Sequence, residues 1–127
     1  MKNALFIVVT FISFSIFARG GASAIPNTSK WKEADYVQYH CRGEIEHRLP
    51  DKTRVDCLND THAIEYDFGY KWHEALGQAL YYSAMTSKKA GIVLIVNPKT
   101  KERYLARLKK TIEAHSLNVD IWVIHSK

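Results

Sequence analysis

The sequence predicts an α/β domain with a mixed central sheet and helices on both of its faces. Three observations predict it. A meander of three short segments, 44–49, 53–58 and 62–68, is punctuated by turn residues and feeds a helix. Two predominantly apolar runs, 92–96 and 119–124, read as buried strands of the parallel kind. A segment of helical period, 100–115, lies between those runs, as a parallel crossover requires.

Each element follows in order. Over residues 30–41, Trp31, Ala34, Val37 and Cys41 recur at spacings of three and four, which gives one apolar stripe of a helix, and Gly43 can end it. Residues 44–49 alternate as an edge or half-buried strand does, and Pro50-Asp51-Lys52 is a turn. Over 53–58 a period of two puts Val55 and Cys57 on one face and Arg54, Asp56 and Leu58 on the other. After the turn at Asn59-Asp60, the strand 62–68 carries Ala63, Glu65 and Asp67 on a common face.

Gly69 interrupts the chain before the strongest helix, 70–87, whose inward surface is Trp72, Ala75, Leu76, Ala79, Leu80 and Ser83. Gly91 opens the apolar run 92–96 and Pro98 closes it. The helix 100–115 is basic and amphipathic, with Tyr104, Leu105, Leu108 and Ile112 inward, and its charge run reads first as a solvated face, with phosphate binding as the functional alternative. The strand 119–124 completes the order α-β-β-β-α-β-α-β.

The N-terminus bounds where the domain works. Met1-Lys2-Asn3, an apolar run from Ala4 to Ala18 and the exit Ala22-Ser23-Ala24 have the pattern of a secretory signal with a small-residue cleavage site. The run is about 15 residues, short of the roughly 20 that a membrane span needs. The expected organisation is therefore a signal peptide over 1–24 and a single domain over 25–127, secreted or periplasmic, with no membrane span after cleavage. The signal takes Lys2 and Arg19 and no acid with it, so the net charge falls from +5 to +3. That mild balance is compatible with a polyanionic partner without demanding one. The 46% hydrophobic content is that of a chain with a core.

Cys41 and Cys57 are the two cysteines, and an oxidising compartment makes the pair a disulfide candidate. Free buried thiols are the alternative, since neither cysteine belongs to a Cys-x-x-Cys metal spacing. The six histidines, at 40, 47, 62, 73, 115 and 125, form no His-x-x-x-His pair. Asn27-Thr28-Ser29 and Asn59-Asp60-Thr61 match the N-glycosylation acceptor pattern.

Four acids stand where the chain folds back on itself: Glu46, Asp56, Glu65 and Asp67 on three consecutive predicted strands. If those strands are neighbours, the carboxylates can meet at one place, and Mg²⁺ or Mn²⁺ takes such oxygen ligands. A bound divalent ion polarises a phosphoryl oxygen and activates water. The following helix supplies Lys71, Gln78 and Tyr82 near one face, a lysine to assist the attacking water and two side chains to hold a nucleic-acid backbone. Each has a plainer reading. Glu46 can be a cross-strand partner of Arg48 or Arg54, Lys71 an exposed first-turn residue, and Tyr82 a core aromatic.

The segments Arg54-Val55-Asp56-Cys57 and Ala63-Ile64-Glu65-Tyr66-Asp67, followed by the helix Lys71-Trp72-His73-Glu74-Ala75-Leu76-Gly77-Gln78-Ala79-Leu80-Tyr81-Tyr82, resemble the PD-(D/E)XK nuclease superfamily, and Gln78-x-x-x-Tyr82 resembles the helix motif of its exonuclease and resolvase branches. The resemblance runs from near Glu44 to Val96. It implies a restriction-endonuclease-like αβββαβ core with an added C-terminal helix and strand. It implies Asp56 and Glu65 as catalytic metal ligands with Asp67 and Glu46 as further acids, Lys71 as the catalytic lysine, and Gln78 and Tyr82 as substrate contacts. The expected activity is metal-dependent hydrolysis of nucleic acid, with Mg²⁺ or Mn²⁺ as cofactor. The chain departs from the pattern where the superfamily has lysine two residues after the glutamate: that position is Asp67, and Lys71 is the substitute. A nuclease fold that only binds is the alternative this departure opens.

Overall fold

The computed structural model describes residues 31–126; the expected signal peptide lies outside them. The order is α1 (Glu33–His40), β1 (Glu44–Arg48), β2 (Arg54–Leu58), β3 (His62–Phe68), a single 3-10 turn (Gly69–Lys71), α2 (Trp72–Thr86), β4 (Lys89–Val96), α3 (Lys101–Ala114) and β5 (Val119–His125). One five-stranded sheet runs in the spatial order β1-β2-β3-β4-β5. The first three strands are antiparallel and the last three parallel. The predicted mixed sheet with helices on both faces is what the chain forms.

The two faces carry separate cores. On one, Tyr36, Val37 and Cys41 of α1 pack against Cys57, Ile64, Tyr66, Val93 and Ile95. On the other, Ala75, Leu76 and Ala79 of α2 and Leu108 of α3 pack against Ala90, Ile92, Leu94 and Val96. From Ala90 to Val96, β4 therefore alternates between two buried environments and is apolar, as a central parallel strand must be. A third cluster, Leu49, Val55, Ala63 and Tyr82, closes the β2–β3 end.

Helix α1 starts later than the predicted residue 30, where the Lys32 amide donates to the Asp35 carboxylate at 2.8 Å and Glu33 and Asp35 meet the positive end of the helix. It is pinned at the other end by the Cys41–Cys57 disulfide, with the Cα atoms 5.8 Å apart. The pairing expected of an exported chain is present, and among the described residues there is no free cysteine. No described helix is long and apolar enough to cross a membrane.

Two sequence expectations need correction. Gly91 does not open β4 but lies inside it. A Cβ there would stand 2.8 Å from the Trp122 ring, so the glycine admits the indole of β5 rather than ending a strand. In β2, Val55 and Cys57 do not share a face. Val55 joins the cluster with Ala63 and Tyr82, and Leu58 packs against it too, while Cys57 joins α1. Strict alternation breaks at Asp56, the residue between them. Across from Asp56, by the register on either side, lies Glu46, whose φ of 56° is left-handed. A non-glycine residue there carries backbone strain, which gathers at functional positions.

Candidate active site

The site exists because β2 and β3 part company. Their ladder holds Leu58 to Ala63 and Cys57 to Ile64 and goes no further. β3 meanwhile stays paired with β4 along all seven of its residues. Beyond Cys57 the facing edges of β2 and β3 have lost their mutual hydrogen bonds, and buried amides need other partners. Carboxylates supply them. The Tyr66 amide donates to Asp56 Oδ2 at 2.9 Å, and the Asp56 amide donates to Glu65 Oε1 at 3.3 Å. Farther along, the Phe68 amide donates to Asp67 Oδ1 at 2.9 Å.

Glu65 and Asp67 are each only 4% exposed. Among the described residues, no Lys, Arg or His lies within ion-pair distance of Asp56 or Glu65. Burial without a cation disfavours the charged forms. It pushes the Glu65 carboxyl up to about 9, with the charge of Asp56 adding to the effect. Burial likewise raises Asp56 to about 6, against the lowering effect of the Tyr66 amide, with Glu46 adding repulsion. The two carboxyl groups hydrogen-bond side chain to side chain, with Glu65 as the protonated partner.

A second carboxyl pair adjoins the first. Asp67 hydrogen-bonds the Glu33 carboxyl. Burial raises Asp67 to about 7, the charge of Glu33 raises it further, and Lys71 opposes the rise. Lys71 Nζ donates to Glu33 Oε1 at 2.9 Å and stands 3.8 Å from Asp67 Oδ1. The hydrogen bond to Glu33 is the main reason the Lys71 ammonium is held above its usual range. Glu33, Glu46 and Asp56 line one cavity of about 470 Å³ beneath α1, walled by Trp31, Val37 and Phe68.

The expected residues thus fall into groups. Asp56, Glu65, Asp67 and Lys71 come together. Glu46 borders the same cavity, yet also makes the plain cross-strand contact foreseen for it, with Arg54 Nε at 3.4 Å. Gln78 and Tyr82 do not share an environment: Gln78 is exposed, whereas Tyr82 is 6% exposed and packs with Val55 and Ala63. The Tyr82 phenol is raised by burial and by the charges of Glu65 and Asp56, so it forms an inner wall of the site.

Glu33 was not foreseen. Its signal was available: it sits four residues before Val37, on the stripe of α1 that faces the sheet. A carboxylate on an apolar stripe marks a polar hole in the interior.

The donor set suits a hard divalent cation in one respect. Asp56, half-buried, and Glu65, buried, are adjacent, oxygen-bearing and without a positive partner, and Mg²⁺ typically uses one or two carboxylates plus water. Among the described residues, no group of three or more His, Cys, Asp or Glu side chains stands in metal-holding geometry. The fit is to a two-carboxylate site and not to a closed cage. Searches against family models, curated proteins and solved structures find no match to this chain.

Proposed function

We propose that the protein is an exported, metal-dependent phosphodiesterase that hydrolyses nucleic acid on a restriction-endonuclease-like αβββαβ core. One observation carries the reading: Asp56 and Glu65, from neighbouring strands, are brought together where the β2–β3 ladder opens. The order of elements from α1 to β4 supports it, as does the nearness of Lys71 to the same group. The signal-like N-terminus and the disulfide fit an oxidising compartment outside the cytoplasm.

Asp56 and Glu65 would hold Mg²⁺ or Mn²⁺, which when bound supplies Lewis-acid polarisation of a phosphoryl oxygen and a more acidic water. Glu33 holds the Lys71 ammonium at the edge of the group, with Asp67 Oδ1 3.8 Å from the same nitrogen. Lys71 offers Nζ–H donors for negative charge that develops on phosphate. Tyr82 and Val55 keep the inner side of the site dry, which strengthens each of these interactions.

The test is cleavage of plasmid and single-stranded substrates with Mg²⁺ or Mn²⁺. Activity should vanish in EDTA and fall by roughly 100-fold or more in Asp56→Ala, the scale expected when a group that organises the reacting charge is lost. Wild-type rates in a folded Asp56→Ala protein remove the proposal. A second reading, a nuclease fold that binds without cleaving, is favoured by the engagement of Lys71 with Glu33 and by Asp67 in the lysine position. A folded protein that neither binds Mg²⁺ or Mn²⁺ in calorimetry nor turns over would support it.

A further inference from the structure

The carboxylate site leaves the basic helix α3 unused. Arg103, Arg107 and Lys110 follow one another at spacings of four and three and form one stripe of the helix; Lys99 stands in the turn just before it, and all four are exposed. Among the described residues, none of the four enters an ion pair. Glu102 falls off the stripe and Glu113 stands only at its far end. The opposite side of α3 is committed to the core through Leu108 and Ile112.

The stripe is joined to the carboxylate site by aromatic rings. The guanidinium carbons of Arg103 and Arg107 each stand 6.0 Å from the centre of the Tyr104 ring. Tyr104 shares a cleft of about 160 Å³ with Tyr70 at the carboxyl ends of β3 and β4. Gly69 permits that approach, since a Cβ there would lie 2.9 Å from Tyr104 Cδ2. Tyr70 is 58% exposed, lies nearly parallel to the Phe68 ring at 6.0 Å, and has Lys71 Nζ 6.0 Å from its own centre. The path therefore runs from Asp67 and Lys71 over Tyr70 and Tyr104 to the cations of α3.

We propose that this path is a docking track for single-stranded nucleic acid, with a base stacked on Tyr70 and the phosphates that follow it held by Arg103, Arg107 and the rest of the stripe. The inference deepens the proposed function and rests on it for the fate of the bound strand. Two features favour this partner. Exposed aromatic faces interleaved with unpaired cations are how unpaired strands are held without regard to sequence. A helix that lies on an anionic membrane needs apolar side chains on its outward side, and those of α3 are turned into the core.

The experiment is fluorescence anisotropy of a labelled oligothymidylate with the whole protein in EDTA, so that cleavage does not enter. Removing two phosphate contacts in the Arg103→Gln, Arg107→Gln double variant should weaken binding roughly tenfold at low salt. It should also flatten the log–log salt dependence by about 1.4, at about 0.7 per phosphate on a single strand. Tyr70→Ala should weaken binding at least about fivefold, and Tyr70→Phe should restore it. Failure of the wild-type protein to bind, or unchanged affinity and salt slope in the variants, overturns the track. So does equal or tighter binding to phosphatidylglycerol vesicles that is lost through the same substitutions. Cleavage separates the two claims: a strand bound through α3 but never cut with Mg²⁺ or Mn²⁺ sinks the nuclease reading and leaves the track standing. Metal-dependent cleavage with binding indifferent to Arg103 and Arg107 does the reverse.

Discussion

Glu65 accepts the backbone N–H of Asp56 across the gap between β2 and β3, and its carboxyl shares a hydrogen bond with that of Asp56. The two side chains fill the place of a missing stretch of sheet ladder. Their protonation state is therefore a property of the fold as well as of the chemistry.

Stability without metal should fall as pH rises. Glu65 is held at about 9, Asp67 at about 7 and Asp56 at about 6 in the folded chain, all above the ordinary carboxyl range. Between each ordinary value and its raised one, the folded protein binds more protons than the unfolded chain, so unfolding free energy declines with pH. The contribution of Glu65 is complete below about pH 4.5 and is gone once pH passes about 9. Thermal denaturation in EDTA from pH 5 to 9 should show a falling Tm, and Glu65→Gln, which stays neutral, should flatten the slope. A Tm that climbs over that interval in the wild-type protein contradicts the assignment.

How much of this was legible depends on which interaction decided each element. β4 was readable because its run from Ala90 to Val96 is unbroken and a central parallel strand has no solvated face; β5 was readable as a strand but not as the sheet's edge, where none of its residues is buried and Trp122 is 42% exposed. β3 was readable to the residue, since a short alternating segment lies between a turn and Gly69. The parting of β2 from β3 was not. Periodicity assigns Val55 and Cys57 to one face, and only the left-handed backbone of Glu46 and the carboxylates between the strands reverse it. Those are contacts across the sheet with no local signature. Of the site, Asp56, Glu65, Asp67 and Lys71 were found because they are close in sequence order. Glu33 was missed because it arrives from the start of the chain, and the disagreement between Gln78 and Tyr82 arose because a four-residue spacing names a helix face without saying what covers it.

Divalent metal should displace protons from the site. With Asp56 and Glu65 sharing protons at neutral pH, a cation that needs their charged forms must expel about one proton on binding. Calorimetry of Mg²⁺ or Mn²⁺ at pH 7 in buffers of different ionisation enthalpy measures that release directly. The same ions at fixed concentration should raise Tm progressively more as pH rises toward about 9, the gain being about 2.7 kcal/mol wherever the ion stands at 100 times its dissociation constant. In Asp56→Asn both effects should disappear. Metal-dependent stabilisation that survives this substitution would move the binding site elsewhere.

Breaking the Cys41–Cys57 bridge should cost about 3 kcal/mol, the chain-entropy value for closing a loop with a sequence separation of 16. Urea denaturation of the Cys41→Ser, Cys57→Ser double variant reads this as a lower midpoint. Because Cys57 is the neighbour of Asp56 and Cys41 ends α1, the loss should reach the site too: Glu33 is carried by the tethered helix. A double variant with unchanged stability would mean that the packing of Tyr36 and Val37 holds α1 without help.

Glu33→Gln isolates the part α1 plays in the chemistry. The Glu33–Lys71 pair is about a third exposed on both sides, so screening limits its worth to less than about 1 kcal/mol and the variant should remain folded. Its effect should appear in titration. Glu33 raises both the Lys71 ammonium and the Asp67 carboxyl, so removing its charge lowers both toward their ordinary values. Asp67 then ionises at lower pH and takes over the Lys71 ammonium, 3.8 Å away. In the pH profile of metal-dependent cleavage, each limb that these groups govern should move to lower pH relative to the wild-type protein. In ¹³C-detected titrations the Asp67 carboxyl should move the same way with no metal present. Asp67 that titrates identically in both proteins would show that Glu33 is only a structural strut for α1.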